Sequence, residues 1–253
     1  MGVDPTERFG DRVDDYAKYR PGYPREVITT LEHDFHLTPA IAVADVGSGT
    51  GISARPFLEA GYEVFAVEPN GPMRAAAERD LGAHPRFHSV RGTAEDTTLA
   101  AASVGLVVAA QAFHWFDPPR ARAELRRVLR EPRLVALMWN DRRVAGPFLE
   151  AYERLLWEHG TDYRAVRRRD EARGDAIRSF FGGPARELVF ANGQTLDHEG
   201  FFGRALSSSY LPKRGHPRHE GMTEALERLW TTYSSGGTVS LEYDTHVFVG
   251  RLE

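Results

Sequence analysis

The run V-A-D-V-G-S-G-T-G at residues 43–51 concentrates the residue types best placed to do chemistry. An apolar strand running into closely spaced glycines, and then into a helical pattern, presents backbone N–H groups and a positive helix end to a ligand. Glycine also tolerates positive φ and the close approach of a bound group. Ligands of open parallel sheets bind outside the carboxyl ends of the strands. Glu68 ends the next apolar run, 21 residues after Gly47. A carboxylate at that register can accept both hydroxyls of a ribose, so the ligand contains a nucleoside. A dinucleotide fingerprint needs a third glycine where this chain has Ile52, which argues against a nicotinamide dehydrogenase. S-adenosylmethionine has no pyrophosphate. Its amino-acid end needs only a tight glycine turn and a nearby acid, such as Asp45.

The elements that must position these residues alternate. Residues 25–35 predict a helix, with Val27, Ile28, Leu31 and Phe35 on one stripe. Strands are predicted over 41–46, 64–68, 87–91, 104–110 and 134–139. Helices are predicted over 52–60, closed by Gly61, and over 72–81 and 118–130. Asp117 and Pro118 suit the cap and first position of the last of these. Five strands with intervening helices mean a parallel sheet covered on both faces. Beyond Trp139 the pattern turns helical. Phe148, Leu149, Tyr152, Leu155 and Leu156 form one stripe, and Met222, Leu226, Leu229, Trp230 and Tyr233 another. Late strands are predicted over 187–195 and 239–252. The arginine-rich stretch 164–178 reads as a solvated helix face.

Taken together, YAKYRPGYP at 16–24, DVGSGTG at 45–51, EPN at 68–70, GTAE at 92–95, QAFHWFD at 111–117 and GRALSSSY at 203–210 resemble the class I S-adenosylmethionine-dependent methyltransferases. The resemblance is to their small-molecule branch, the methyltransferase type 11 group that includes trans-aconitate-type enzymes. It implies an α/β, Rossmann-like fold: a seven-stranded, mostly parallel sheet with helices on both faces and an inserted helical cap. It implies S-adenosylmethionine as cofactor and S-adenosylhomocysteine as product. Gly47, Ser48, Gly49 and Gly51, with Asp45, would line the methionine part. Glu68 and Pro69 would meet the ribose, and Met73, Ala94 and Glu95 the adenine. Gln111 would sit near the reactive methyl. Tyr16, Tyr19 and Arg20 would form a lid, with Tyr19 and Arg20 contacting the cofactor and Arg20 a partner for a carboxylate. The chain departs from the usual pattern in two places. Ser103-Val-Gly105 stands where an acidic residue opens the fourth strand, and Arg130-Glu-Pro-Arg133 where a Gly-Gly turn is common.

Methyl transfer from a sulfonium needs alignment and a dry site more than acid–base help. A hydroxyl acceptor benefits from a general base, whereas a carboxylate needs none and suits an arginine clamp. His114 follows the fourth strand at the ligand edge and is the candidate base; packing between Phe113 and Trp115 as a pocket wall is the alternative. Phe113, Trp115, Trp139, Asn140, Ser208 and Tyr210, with Tyr16, are the candidate substrate contacts. Methyl transfer to an oxygen, most simply a carboxylate or hydroxyl, is the leading expectation. Transfer to carbon or nitrogen, or cofactor binding without transfer, are the alternatives.

The 253 residues include no cysteine, which excludes disulfides, thiolate metal sites and a cysteine nucleophile. The histidines share no ligand spacing, so no metal is expected. A net charge of −4 argues against nucleic acid as partner. No stretch reads as a signal or a membrane span. The expectation is a soluble cytoplasmic monomer or homodimer acting on a small molecule. It would be a single domain over 1–253, with a lid segment at 1–24, a cofactor core at 25–140, a helical cap with a late strand at 141–237 and a final strand at 238–253.

Overall fold

A computed structural model describes residues 13–252. The chain runs α1 (Val13–Tyr19), α2 (Arg25–Phe35), β1 (Val43–Val46), α3 (Ala54–Glu59), β2 (Val64–Val67), α4 (Gly71–Leu81), β3 (Phe87–Val90), β4 (Val104–Ala110), α5 (Pro118–Val128) and β5 (Leu129–Arg142). It continues with α6 (Pro147–His159), α7 (Tyr163–Phe181), β6 (Ala185–Leu196), α8 (His198–Leu206), α9 (His219–Tyr233) and β7 (Val239–Arg251). The strands form one seven-stranded sheet in the order β3-β2-β1-β4-β5-β7-β6. The first five strands are parallel, and β7 pairs antiparallel with both β5 and β6.

The apolar runs of β1 and β4 are buried because helices cover both faces of the sheet. Alternation along β4 shows the two faces. Leu106 and Val108 pack with Ile28 and Leu31 of α2 and Phe57 of α3. Val107 and Ala109 pack with Ala121 and Leu125 of α5 and Phe180 of α7. A third cluster joins Leu156 of α6, Phe201 of α8, Leu226 of α9 and Tyr243 of β7. The switch in strand order between β1 and β4 opens the crevice where ligands of such sheets bind.

Several elements differ from the sequence reading. β5 starts at Leu129 because Val104 pairs with it, while Leu106 pairs with Leu134; residues 130–133 bulge between. It runs on to Arg142 because Asn140, Asp141 and Arg142 pair with Thr245, Asp244 and Tyr243. These polar ends carry no hydrophobic signal. Two short helices that the sequence reading did not place, α1 and α8, are seven and nine residues long and pack against each other. α3 spans only six residues, and Gly61, at φ 88°, stops the chain from continuing it. Asp117 caps α5, its side chain accepting from the Arg120 N–H, with prolines in the first turn. The lid expected over 1–24 lies outside the described residues in its first twelve positions.

Leu125 is fully buried on α5, so Leu125→Ala should cost about 2–5 kcal/mol in urea denaturation. Arg126→Ala, one position along on the exposed side, should stay within about 0.5 kcal/mol.

Candidate active site

The turn after β1 is built by backbone conformations that side chains resist. Gly47 has φ 72°, and a Cβ there would fall 2.6 Å from the Ala112 Cβ. Gly51 has φ 83°, and a Cβ would meet Leu81 of α4 at 2.5 Å. Gly47 therefore lets the turn pass under the 111–117 segment, and Gly51 seats it against α4. Gly49 has open space beside it. Beneath the turn Asp45 is wholly buried. Its Oδ2 accepts from the Ser53 hydroxyl at 2.7 Å, and its Oδ1 has no partner among the described residues. Ser48 and Thr50 likewise carry buried hydroxyls without partners. Burial, eased by Ser53 and reinforced by the Glu68 charge, pushes the Asp45 carboxyl up to about 7.

Glu68, at the end of β2, is nearly buried and fully engaged. Oε2 accepts from the Gly49 N–H and Oε1 from the Asn70 N–H, each at 2.8 Å. Burial raises its carboxyl above the usual value, against the pull of those two amides and of Arg74. Asn70 in turn caps α4, accepting from the Met73 N–H at 3.0 Å. A cavity of about 210 Å³ opens here, lined by Glu68, Pro69, Asn70, Met73, Thr93, Ala94 and Glu95. The Glu95 carboxylate accepts from the Asp117 N–H at 2.8 Å, tying this loop to the start of α5.

A second cavity, also about 210 Å³, adjoins it. The two share Tyr16, Gly47, Gly49, Ala110, Gln111 and Trp115. Gln111 at this junction has φ 56°, a left-handed conformation uncommon outside glycine, and its N–H donates to the Met138 carbonyl at 2.9 Å. Five arginines (Arg20, Arg142, Arg167, Arg169 and Arg204) line the second cavity, against two aspartates, Asp141 and Asp170. Arg142 is paired with Glu153, and Asp141 with Arg173. Arg204 is 6% exposed. It donates to the Tyr243 hydroxyl and to the Ser208 hydroxyl, each at 3.1 Å. Arg20 donates to the Ser207 carbonyl at 2.9 Å and lies over the Tyr16 ring.

The structure thus brings Gly47, Gly49, Glu68, Pro69, Met73, Ala94, Glu95 and Gln111 around the first cavity, with Tyr16 and Trp115. Arg20, Ser48, His114, Trp139, Asn140 and Tyr210 line the second. The Asn140 side chain is also held in a network with Gly22, Asn192 and Thr245. The His114 ring lies against Trp115, with centroids 4.7 Å apart.

Other candidates fall elsewhere. Phe113 packs in the core against Trp139, Phe116 and Phe180. Ser208 is fully buried behind Arg204, and its neighbours Ser209 and Tyr210 face the cavity instead. Tyr19 lies on Gly203, and its hydroxyl donates to Glu199. Gly51 and Asp45 sit behind the turn rather than in its open face.

The sequence reading of 164–178 as a solvated face is corrected. One side of α7 lines the second cavity with Tyr163, Val166, Arg167 and Asp170. That spacing of three, four and seven residues was the available signal. Arg204 was also missed, because a lone arginine in a short helix carries no pattern.

Residues 44–135 match the methyltransferase domain family, a span that contains the turn, Glu68 and the 92–117 segments. The fold is the Rossmann-like α/β fold of class I methyltransferases. An uncharacterized methyltransferase of Mycobacterium tuberculosis is 40% identical over 141 residues, 55% of this chain and 54% of that protein. An uncharacterized methyltransferase of Schizosaccharomyces pombe is 30% identical over 149 residues, 58% of each chain. The chain thus spans just over half the length of these curated relatives. The structure of a candidate type II methyltransferase from Anaeromyxobacter dehalogenans superposes with TM-score 0.63 and 25% identity, covering 92% of this chain and 98% of that one.

Asp45 gives the site a testable pH dependence. Its folded value of about 7 lies above the ordinary carboxylate value of 3.8, so the folded protein keeps a proton that the unfolded chain releases between them. Its contribution to stability therefore falls as pH rises through that window. Asp45→Asn should flatten this slope. In ligand-free thermal melts at pH 8 it should be more stable than the parent, by about 2 kcal/mol or more, with the gap closing toward pH 4.

Proposed function

We propose that the chain is an S-adenosylmethionine-dependent methyltransferase acting on an oxygen of a small molecule, a carboxylate or a hydroxyl. The observation that carries this reading is the pair of adjoining cavities. One presents a buried carboxylate and apolar walls suited to a nucleoside, and the other a cationic wall. They meet at Gly47, Gly49 and Gln111.

The residues present fit the cofactor. Glu68 at its register would accept the ribose hydroxyls, and Met73 and Ala94 would flank the adenine. The Ser48 and Thr50 hydroxyls, without partners among the described residues, line the second cavity and would serve the amino-acid end. When bound, S-adenosylmethionine supplies an electrophilic methyl on a sulfonium. The chain's part is orientation: Gln111 and Trp115, common to both cavities, fix how the two occupants face one another. Tyr16 and the aromatic walls keep water out of the junction.

His114 could take the proton of a hydroxyl acceptor. A carboxylate acceptor leaves it only as a wall. The cationic chamber favours the carboxylate, so His114→Asn should lower kcat less than tenfold and leave its pH profile unchanged. A loss of about 10²-fold or more, with an ionisation gone from the profile, would mark a hydroxyl acceptor with His114 as base.

Calorimetric titration tests the cofactor. Micromolar binding of S-adenosylmethionine, with none of NAD, is expected. Glu68→Lys should abolish it, since the substitution removes the acceptor and reverses its charge; retained affinity would displace the ribose from Glu68. Transfer of a labelled methyl across an acceptor panel then separates an enzyme from a protein that only binds the cofactor.

A further inference from the structure

The second cavity contains more positive charge than its own carboxylates neutralise. Arg142 is balanced by Glu153, but Arg20 and Arg204 pair with no carboxylate among the described residues. Arg204 is buried and Arg20 half-buried. Burial, and then the charge of Arg204, weaken the hold of Arg20 on its own proton. The Arg20 Nε is buried and has no partner among the described residues. Two guanidiniums drawn together on one cavity wall, one of them buried, are costly unless an anion joins them.

Tyr210 reports the same field. Burial opposes ionisation of its phenol, yet Arg204, Arg20, the Ser208 hydroxyl and Arg142 together bring it below the ordinary tyrosine value. Of the two aspartates that line the cavity, Asp141 is taken by Arg173, and no carboxylate of the described residues bonds Arg20 or Arg204, so the anion for this pair comes with the ligand.

We propose that Arg20 and Arg204, which line the second cavity together, form an anion subsite that anchors the carboxylate of the acceptor. The guanidinium of Arg204 is aimed by Tyr243 and Ser208, and that of Arg20 by the Ser207 carbonyl. Both arginines therefore approach the anion with donors to spare, in the charge-assisted geometry that arginine favours. The inference rests on the methyl-transfer reading for the role of the chamber, and names the acceptor class for it.

The experiment uses the full chain saturated with S-adenosylhomocysteine and titrates it calorimetrically with benzoate and benzamide. Benzoate should bind at least tenfold more tightly than benzamide, which has the same shape without the charge. Arg204→Gln should remove the preference for benzoate over benzamide, and Arg204→Lys should restore part of it. S-adenosylhomocysteine affinity should be unchanged in both variants, which shows that they are folded. If Arg204→Gln fails to fold, Arg20→Gln gives the same readout from the other side of the subsite. Equal binding of benzoate and benzamide, no binding of either, or a preference that survives loss of each arginine would overturn the proposal. Any of these with S-adenosylhomocysteine still bound leaves the cofactor reading intact. Failure of the parent to bind S-adenosylhomocysteine would instead sink that reading.

Discussion

The site depends on one buried carboxylate. Glu68 accepts from Gly49 on the turn after β1 and from Asn70 at the start of α4, so a single side chain fastens two loops that converge from different strands. Both acceptor oxygens are held by backbone amides rather than by a cation. Those two amides, with the nearby charge of Arg74, offset part of the cost of burying the carboxylate. Asn70 passes the constraint on by capping α4, which carries Met73 to the cavity wall. Leu81 on the same helix packs where Gly51 has no Cβ. The geometry of turn, carboxylate and helix is therefore one unit, and a disturbance of any member moves all three.

The second cavity is organised by the opposite problem, excess positive charge. The chain solves it in part within itself. Arg142 meets Glu153, and Arg173 meets Asp141 while lying over the Trp139 ring. Arg169 lies over Trp115 and Arg204 near the Tyr243 ring. Aromatic faces thus stabilise several of the guanidiniums that carboxylates do not reach. Arg20 from the lid segment and Arg204 from α8 face the cavity with no carboxylate bonded to either among the described residues. The cationic field is accordingly local to one wall of a protein whose net charge is −4. The composition alone gave no hint of it.

The cofactor half of the site was legible in the sequence because its constraints are local. Glycine spacing, a strand end and a capped helix lie within thirty residues of one another, and each leaves a signature of type and register. The sheet was legible for the same reason, since apolar runs of β1, β2 and β4 are buried on both faces and read as continuous. The chamber was legible only in part, through Tyr16, Arg20, His114, Trp139, Asn140 and Tyr210. Its residues come from α1, β5, α7, α8 and β7, which meet only through the tertiary fold. Arg167 and Arg204 carry no local mark that separates them from a solvated arginine. Phe113 misled for a related reason: it lies in a motif whose neighbours face the cavity, but a 3-10 turn over Phe113–Trp115 rotates it into the core.

The segment that closes the chamber is held by bonds of unequal kind. At its outer edge Lys18 and Tyr19 meet Glu199, and Arg79 meets Asp14, all in exposed positions where water and salt compete. At its inner edge the Tyr19 carbonyl accepts from Gln194 at 3.0 Å, and Gln194 accepts from the Tyr243 hydroxyl at 3.1 Å. Tyr243 in turn accepts from Arg204. Arg20, one residue past α1, completes the inner edge through the Ser207 carbonyl. The inner bonds are shielded from solvent and so dominate the seating of the segment. They also run through the two arginines that face the cavity. Closure of the chamber and orientation of its cationic wall are consequently the same structural event, which is the condition under which an acceptor can be aligned and dried together.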